Sequence, residues 1–446
     1  MKVIFLGHAQ LLIESAGRHL LLDPWFAEPV FARAWWHYPP RPYPTPASLP
    51  GLDALVLSHI HPDHSGPDTL ALLDPGTPSF AMPFASGALR RRLERAGYRR
   101  VSWLPGFETR EVLPGVSLTL VPHDGGWEVA SAVIEAEGVR IYHGNDNVLS
   151  VTAYAEIARR LGPIDLAFLP FSGASSYPTC FAWEPGTLEE KAREKKLGGI
   201  ARFTDGISGL RPRLAVPFAS SFALLEPEEL WKNYLDRPTP DEACAASREA
   251  AAAAGTSVLR MDPGDAWDPA GGHRPRGLTA DHGYDREGVE RYARAIADRV
   301  AAAGAGRVAG GPRGDPGLLD GAVRRYFETM LAQTAASTKQ LRMLAGLVAE
   351  GKGGGAWHLV FEPGRAPEVR SGPSADADET LTVTAGEMWD IVAGPLNWED
   401  PWYGYRLRVR KRLGAGYYRA FWEMLLNFDD EALSQAIAAA LPAASR

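Results

Sequence analysis

The chain has 446 residues, of which 45% are hydrophobic and 23% charged, and a formal net charge of -7. That length exceeds what one compact core usually holds, so two domains are expected. The acidic balance excludes a general nucleic-acid face, which would need broad basic charge.

Met1 to His8 carries one lysine and a short apolar run, which reads as a first strand rather than a secretory leader. No apolar run approaches the ~20 residues that cross a bilayer. Two cysteines, Cys180 and Cys244, are too few for a disulfide framework or a cysteine-rich metal site. A cytoplasmic enzyme with no membrane partner is therefore expected.

Three short strands open the chain: Val3 to Leu6, Leu11 to Ile13 and Leu20 to Leu22, with a turn at Gly17 and an end at Asp23-Pro24. From Trp25 to Pro50 the density of proline and aromatics predicts an ordered loop, because proline cannot continue a helix. Ala54 to Leu57 is a buried strand. A helix is expected over Gly87 to Ala96, and strands near 100–104, 116–121, 130–135 and 139–142. Ile164 to Leu169 and Leu214 to Phe218 follow as buried strands, giving an α/β pattern over residues 1–300. The Ala/Gly run Ala301 to Gly311 reads as a linker. Beyond it, apolar residues from Leu318 to Leu331 recur at helical spacing. Strands Trp357 to Phe361 and Leu381 to Thr384 and a helix from Glu387 then predict a smaller α+β domain over 316–446.

The segment Ser58-His59-Ile60-His61-Pro62-Asp63-His64 carries the chemistry. Alternate residues at a strand end point the same way, so His59 and His61 can share one metal. The chain then turns, and Asp63 and His64 can face a second. Imidazole with carboxylate suits Zn, Fe or Mn better than Mg or Ca. Two further ligands stand after strands: His123 in Val121-Pro122-His123-Asp124, and Asp146 in Gly144-Asn145-Asp146-Asn147, where a carboxylate can bridge two cations.

Residues 59 to 64 match the His-x-His-x-Asp-His motif of the metallo-β-lactamase superfamily, which the chain resembles. The resemblance implies an αββα sandwich, two β-sheets with helices outside and two metals at one edge. His123 and Asp146 then match the family's third histidine and bridging aspartate. Asp23-Pro24 and Gly7-His8-Ala9 fit the same pattern, with His8 a pocket wall, a support for the ligands or a plain turn residue. The family's late histidine has no counterpart in Ala215 to Phe222.

Further segments are similar to a subgroup, the CMP-N-acetylneuraminate hydroxylases: Asp23-Pro24-Trp25-Phe26, Pro29 to Trp36, Ser172 to Ser175 with Tyr177-Pro178, Arg211-Pro212-Arg213 and Leu396-Asn397-Trp398. That likeness implies an iron-dependent monooxygenase acting on a nucleotide sugar, with electrons delivered from a Rieske domain. A Rieske centre needs paired cysteines and histidines, and no such set precedes residue 8, so either a separate electron-donor protein is expected or this member does other chemistry. The alternative is a zinc hydrolase of phosphodiesterase or lactonase type, in which the metal activates water and Asp63 orients it. Iron is favoured, because a second metal short of protein ligands leaves positions for dioxygen.

For a polar, anionic small-molecule substrate, Lys191 and Arg202 fall near one face of a helix opening at Thr187, which Gly198-Gly199 is placed to break. A solvated helix face is the plainer reading of the same charges. Trp36 and Tyr177, with Trp35 and Tyr38, are candidates for aromatic pocket walls.

Overall fold

The computed structural model describes residues 1–277, 282–308, 316–428 and 430–441. Contacts divide them into two units. The first contains Met1–Glu28, Trp35–Gly173 and Arg193–Ala295; the second contains Pro29–Ala34, Ala174–Ala192 and Ile296–Arg446.

In the first unit the opening apolar runs form an antiparallel meander, Lys2–Gly7, Gln10–Ser15 and Arg18–Leu22, with Val3 opposite Ile13 and Leu11 opposite Leu22. The sheet then changes sense. Arg18–Leu22 pairs in parallel with Ala54–Leu57, followed by Ser79–Ala81 and Val101–Trp103. Ala266–Asp268 and Gly272–Arg274 close the other edge, making eight strands. A second sheet of seven runs Ser257–Val258, Leu214–Phe218, Leu166–Pro170, Val139–His143, Ala130–Ala136, Val116–Pro122, Thr109–Leu113.

Side chains alternate across each strand, and both faces are apolar. Val3, Phe5, Leu11, Ile13, Leu22 and Val56 of the first sheet meet Leu118, Leu120, Ile134, Ile141, Phe168 and Val216 of the second in one core. The opposite faces are also covered. Ile4, Leu12, Leu21 and Leu55 pack with Leu89 and Leu93 of the helix Ala88–Arg95. Tyr142, Ala167 and Ala215 pack with Tyr154, Ile157, Phe203 and Ile207 from the helices Val151–Leu161 and Thr187–Leu210. Two-sided burial is why these strands read as continuous apolar runs rather than alternating ones.

Three expectations change. The helix from Thr187 runs through Gly198-Gly199 to Leu210. A Cβ on Gly199 would stand 2.6 Å from the Phe171 carbonyl oxygen, so this glycine permits close approach instead of breaking the helix. The proposed linker is largely the helix Ala297–Val308, since alanine is the strongest helix former; the rest of it, 309–311, lies outside the described residues. The second unit also takes in chain from before residue 300.

That unit is built on a six-stranded sheet in the order Phe181–Ala182, Arg408–Lys411, Glu379–Thr384, Met343–Glu350, Gly355–Phe361, Glu368–Ser371. Its core joins Val323, Phe327 and Met330 of the helix Pro316–Gln333 to Leu347, Leu359, Leu381, Trp398 and Phe421. Phe181–Ala182 enters as an edge strand, and Phe31 packs edge-on to Tyr403 at 5.5 Å. Among the described residues no helix is long and apolar enough to cross a membrane.

Candidate metal centre

The strand Ala54–Leu57 ends at Ser58, and after His61 the chain turns into the short helix Pro62–Ser65. Proline opens it, at a position where the absent N–H costs nothing. The turn is tied tightly. The His64 and Ser65 amides donate to the His61 carbonyl at 3.0 and 2.9 Å, and Ser65 Oγ donates to the His59 carbonyl at 2.6 Å. The Arg92 guanidinium donates to the Ile60 carbonyl.

Asp146 arrives on a second built turn, after the strand Val139–His143. Asn145 has φ 41°. Its amide donates to the Ala130 carbonyl at 2.8 Å, and its side-chain oxygen accepts from the Asn147 amide at 3.0 Å. Asn147 Nδ2 donates to Ser131 Oγ at 2.9 Å, which also accepts from the Tyr142 hydroxyl at 2.8 Å. A Cβ on Gly144 would lie 2.5 Å from the Phe168 carbonyl oxygen, so only glycine lets this turn seat against the neighbouring strand.

The ring nitrogens are assigned by their partners. Ser58 Oγ donates to Asp23 Oδ2 at 2.7 Å, so its oxygen accepts from His59 Nδ1 at 2.8 Å. His59 Nε2 is thereby bare and lies 2.8 Å from His61 Nδ1. Likewise His64 Nδ1 donates to Asp23 Oδ2 at 2.9 Å, leaving Nε2 facing Asp63 and Asp146, each at 3.3 Å. One buried carboxylate thus orients two imidazoles, the arrangement that prepares a histidine for metal.

Donor atoms converge in two groups, His59 with His61 and Asp146, and His8 with Asp63, His64 and Asp146, each within 4.8 Å of one another. His8 Nε2 is 2.8 Å from Asp63 Oδ2, both side chains being buried. Yet neither nitrogen of His8 and neither oxygen of Asp63 makes a directed hydrogen bond. Beyond each other and His64 these sealed groups have little to satisfy them, which is costly, and a shared cation would supply what they lack. The donor set fits one or two transition-metal ions.

Electrostatics show a concentration of negative charge that calls for a positive one, which His64 carries as a proton or a bound cation would replace. Burial holds the His59 imidazole well below its ordinary value, with His64 and His61 adding to the effect. Burial also opposes a proton on His64, but Asp63, Asp146 and Asp23 outweigh it and hold that ring well above the usual range. Burial would raise Asp63; His64 and His8 overcome this and hold it well below the usual carboxylate range.

His123 stands in neither group. The Gly125 amide donates to its Nδ1 at 2.8 Å, and a backbone hydrogen bond with Val148 also engages the ring. His8, expected as wall, support or turn residue, instead stands among the converging donors. Its carbonyl accepts from the Ala219 amide at 3.2 Å, so it occupies the neighbourhood of the late strand that carries no histidine. Sequence reasoning passed over Asn145 and Asn147, although two asparagines flanking an aspartate after a strand is a turn signal.

Of the aromatic candidates, Trp35 lies 5.9 Å from the His8 ring and stacks on Phe222 at 3.6 Å. Trp36 is the next residue of the strand Trp35–His37, where successive side chains alternate, and is itself buried. Trp25 meets His8 edge-on at 5.3 Å. Tyr177 belongs to the second unit, where it packs on Phe181 and Trp183. Lys191 is half-buried, and Arg202 is exposed beside Gly173. Between them in the same helix, Lys195 is committed to the buried Asp236 at 2.6 Å.

Residues 18–190 match the family model of the beta-lactamase superfamily domain. A protein of Mycolicibacterium smegmatis described as a Rieske 2Fe-2S iron–sulfur protein is 26% identical over 249 residues, 51% of this chain and 45% of that protein. The cytidine monophosphate-N-acetylneuraminic acid hydroxylase of Xenopus laevis is 26% identical over 246 residues, 51% of this chain and 39% of that protein. The chain thus spans less than half the length of these curated relatives. Among solved structures, CmlA, a diiron beta-hydroxylase from Streptomyces venezuelae, aligns with a TM-score of 0.40 at 18% identity, covering 59% of this chain and 53% of that one. Igni18, a metallo hydrolase from Ignicoccus hospitalis, aligns with a TM-score of 0.39 at 19% identity, covering 59% of this chain and 96% of that one.

Proposed function

We propose that this protein is a dinuclear iron hydroxylase, a reading supported by the match of residues 18–190 to the beta-lactamase superfamily domain and by two mixed sheets whose strand ends carry the donors. The observation that carries the reading is the group His59, His61 and Asp146. Two histidines and one carboxylate with open positions are the ligand set of non-haem iron oxygenases. His8, Asp63 and His64 would hold the second ion, with Asp146 within reach of both groups. Iron held there would supply dioxygen activation. Asp23 and Ser58 fix the rings of His59 and His64, and Trp25 and Trp35 exclude water around His8.

The substrate is proposed to be a polar, anionic small molecule of nucleotide-sugar type, the class named by the hydroxylase relatives. A redox cycle requires an electron donor, and the Rieske description of one relative supports an iron–sulfur centre in that role. Elemental analysis of protein purified without added metal should find iron, about two atoms per chain. With a chemical reductant, oxygen uptake should rise on adding a cytidine nucleotide sugar and vanish in His61→Ala. Zinc alone, with phosphodiester or lactone hydrolysis that needs no reductant, would replace this reading with the hydrolytic one.

A further inference from the structure

The second unit encloses a cavity of about 770 Å³, within the size range of small-molecule sites. Its walls are aromatic. Phe181 and Trp183 stack at 5.8 Å with an interplanar angle of 20°, Trp402 and Trp422 lie 4.9 Å apart, and Phe181 bridges the pairs at 6.2 Å from Trp402. At the rim, Leu413 is 95% and Tyr417 72% exposed, large apolar side chains placed at an entrance.

Ser175, Glu184, Thr187 and Arg412 also line it, Arg412 being paired with Asp378, and one buried ion pair stands among them. Glu379 faces the cavity with a fully buried side chain, and Lys411 Nζ lies 3.0 Å from its Oε1 while donating to the Gly416 carbonyl at 2.7 Å. Lys411 and the Trp422 indole N–H are the partners this carboxylate has, and a four-site acceptor has capacity to spare beyond them. Burial raises the Glu379 carboxyl even against the opposing Lys411 charge. A buried polar group that is incompletely satisfied is expensive unless something completes it.

We propose that this cavity binds a monomeric amphiphile with a hydrocarbon body and an uncharged hydroxyl head, the body lying against the tryptophans and the hydroxyl bonded to Glu379. The pair formed by Glu379 and Lys411 is neutral as a whole. A charged head would leave one ion in excess in a desolvated place, whereas a hydroxyl donates to the carboxylate without disturbing the balance. This site is independent of the metal reading, since no proposed ligand belongs to the second unit.

The test uses the full chain, titrated calorimetrically with dodecanol, dodecanoate and dodecyltrimethylammonium below their aggregation limits, with tryptophan emission as a second readout. Dodecanol should bind at least about tenfold more tightly than either charged compound. Glu379→Gln keeps the shape but leaves Lys411 unopposed, so the order should invert in favour of dodecanoate. Chelated protein should bind dodecanol as the untreated protein does. Failure of all three compounds to bind, equal affinity for the three heads, or an unchanged order in Glu379→Gln would each overturn the proposal.

Discussion

His64 can offer a cation only one ring nitrogen, and Asp23 decides which. Its Oδ2 takes the Nδ1 proton, and the same carboxylate fixes Ser58 and through it His59. Asp23→Asn is nearly isosteric but puts amide protons where acceptors are needed. Metal affinity should fall about 10- to 100-fold, measured by competition with a chromogenic chelator; an unchanged affinity would show that ring orientation does not depend on this carboxylate. At Cys244, burial pushes the thiol up to about 11, with Asp241 adding to it. Thiolate is the reactive form, so alkylation by iodoacetamide at pH 8 should run roughly a hundredfold slower than for an ordinary cysteine thiol. Its rate should climb with pH until the thiol titrates. Rapid modification at pH 8 would contradict the buried setting.

Single residues also explain what could be read in advance. The cluster His59 to His64 was legible because its spacing alone brings four donors to one turn. His8 was not, because what makes it a candidate ligand is the distant Asp63 packed against it. For His123 the position after a strand was read correctly, but a local amide, Gly125 N–H, competes for the nitrogen. Local hydrogen bonds of this kind leave no trace in a spacing pattern.

At the level of elements, strands and caps carry different amounts of information. The helix Ala385–Ala393 opens with a capping box: the Glu387 amide donates to Thr384 Oγ1 at 3.2 Å, and Glu387 Oε2 accepts from the Thr384 amide at 2.9 Å. Thr384→Ala should lower stability by about 1 kcal/mol, read as a shift in the denaturant midpoint followed through tryptophan emission. Thr384→Ser should recover most of it. Equal losses in both variants would place the effect outside the cap. The strand before this helix, Glu379–Thr384, was visible over Leu381 to Thr384, where Leu381 and Val383 alternate with threonines. The three-residue strand Trp35–His37 was not, because it exists only through pairing with Phe222–Leu224. Propensity also misled where alanine and glycine mix: 301–308 has a linker's composition and a helix's alanine content.

For the whole molecule, buried strands were predictable from continuous apolar runs and the two-sheet sandwich from the family resemblance, whereas the make-up of the second unit was not. Its edge strand, Phe181–Ala182, pairs with Arg408–Lys411 across more than half the chain, and no local pattern announces a partner so remote. Loading the centre couples to the entire fold, because an ion bound only by the native state stabilises it by mass action. Iron or zinc added to chelated protein should therefore raise the thermal midpoint, more strongly at higher metal concentration. No shift in Tm would mean that the converging donors grip nothing.

The two donor groups differ in how they meet solvent. His8, Asp63 and His64 are sealed, while the Asp146 side chain is 35% exposed and His61 is partly so. With two ions loaded as proposed, a chelator would approach from the side of Asp146 and His61, and the inner ion would be released after the outer one. Stripping should proceed in a fast and a slow phase of similar size, followed by metal content over time, and a half-stripped species should accumulate between them.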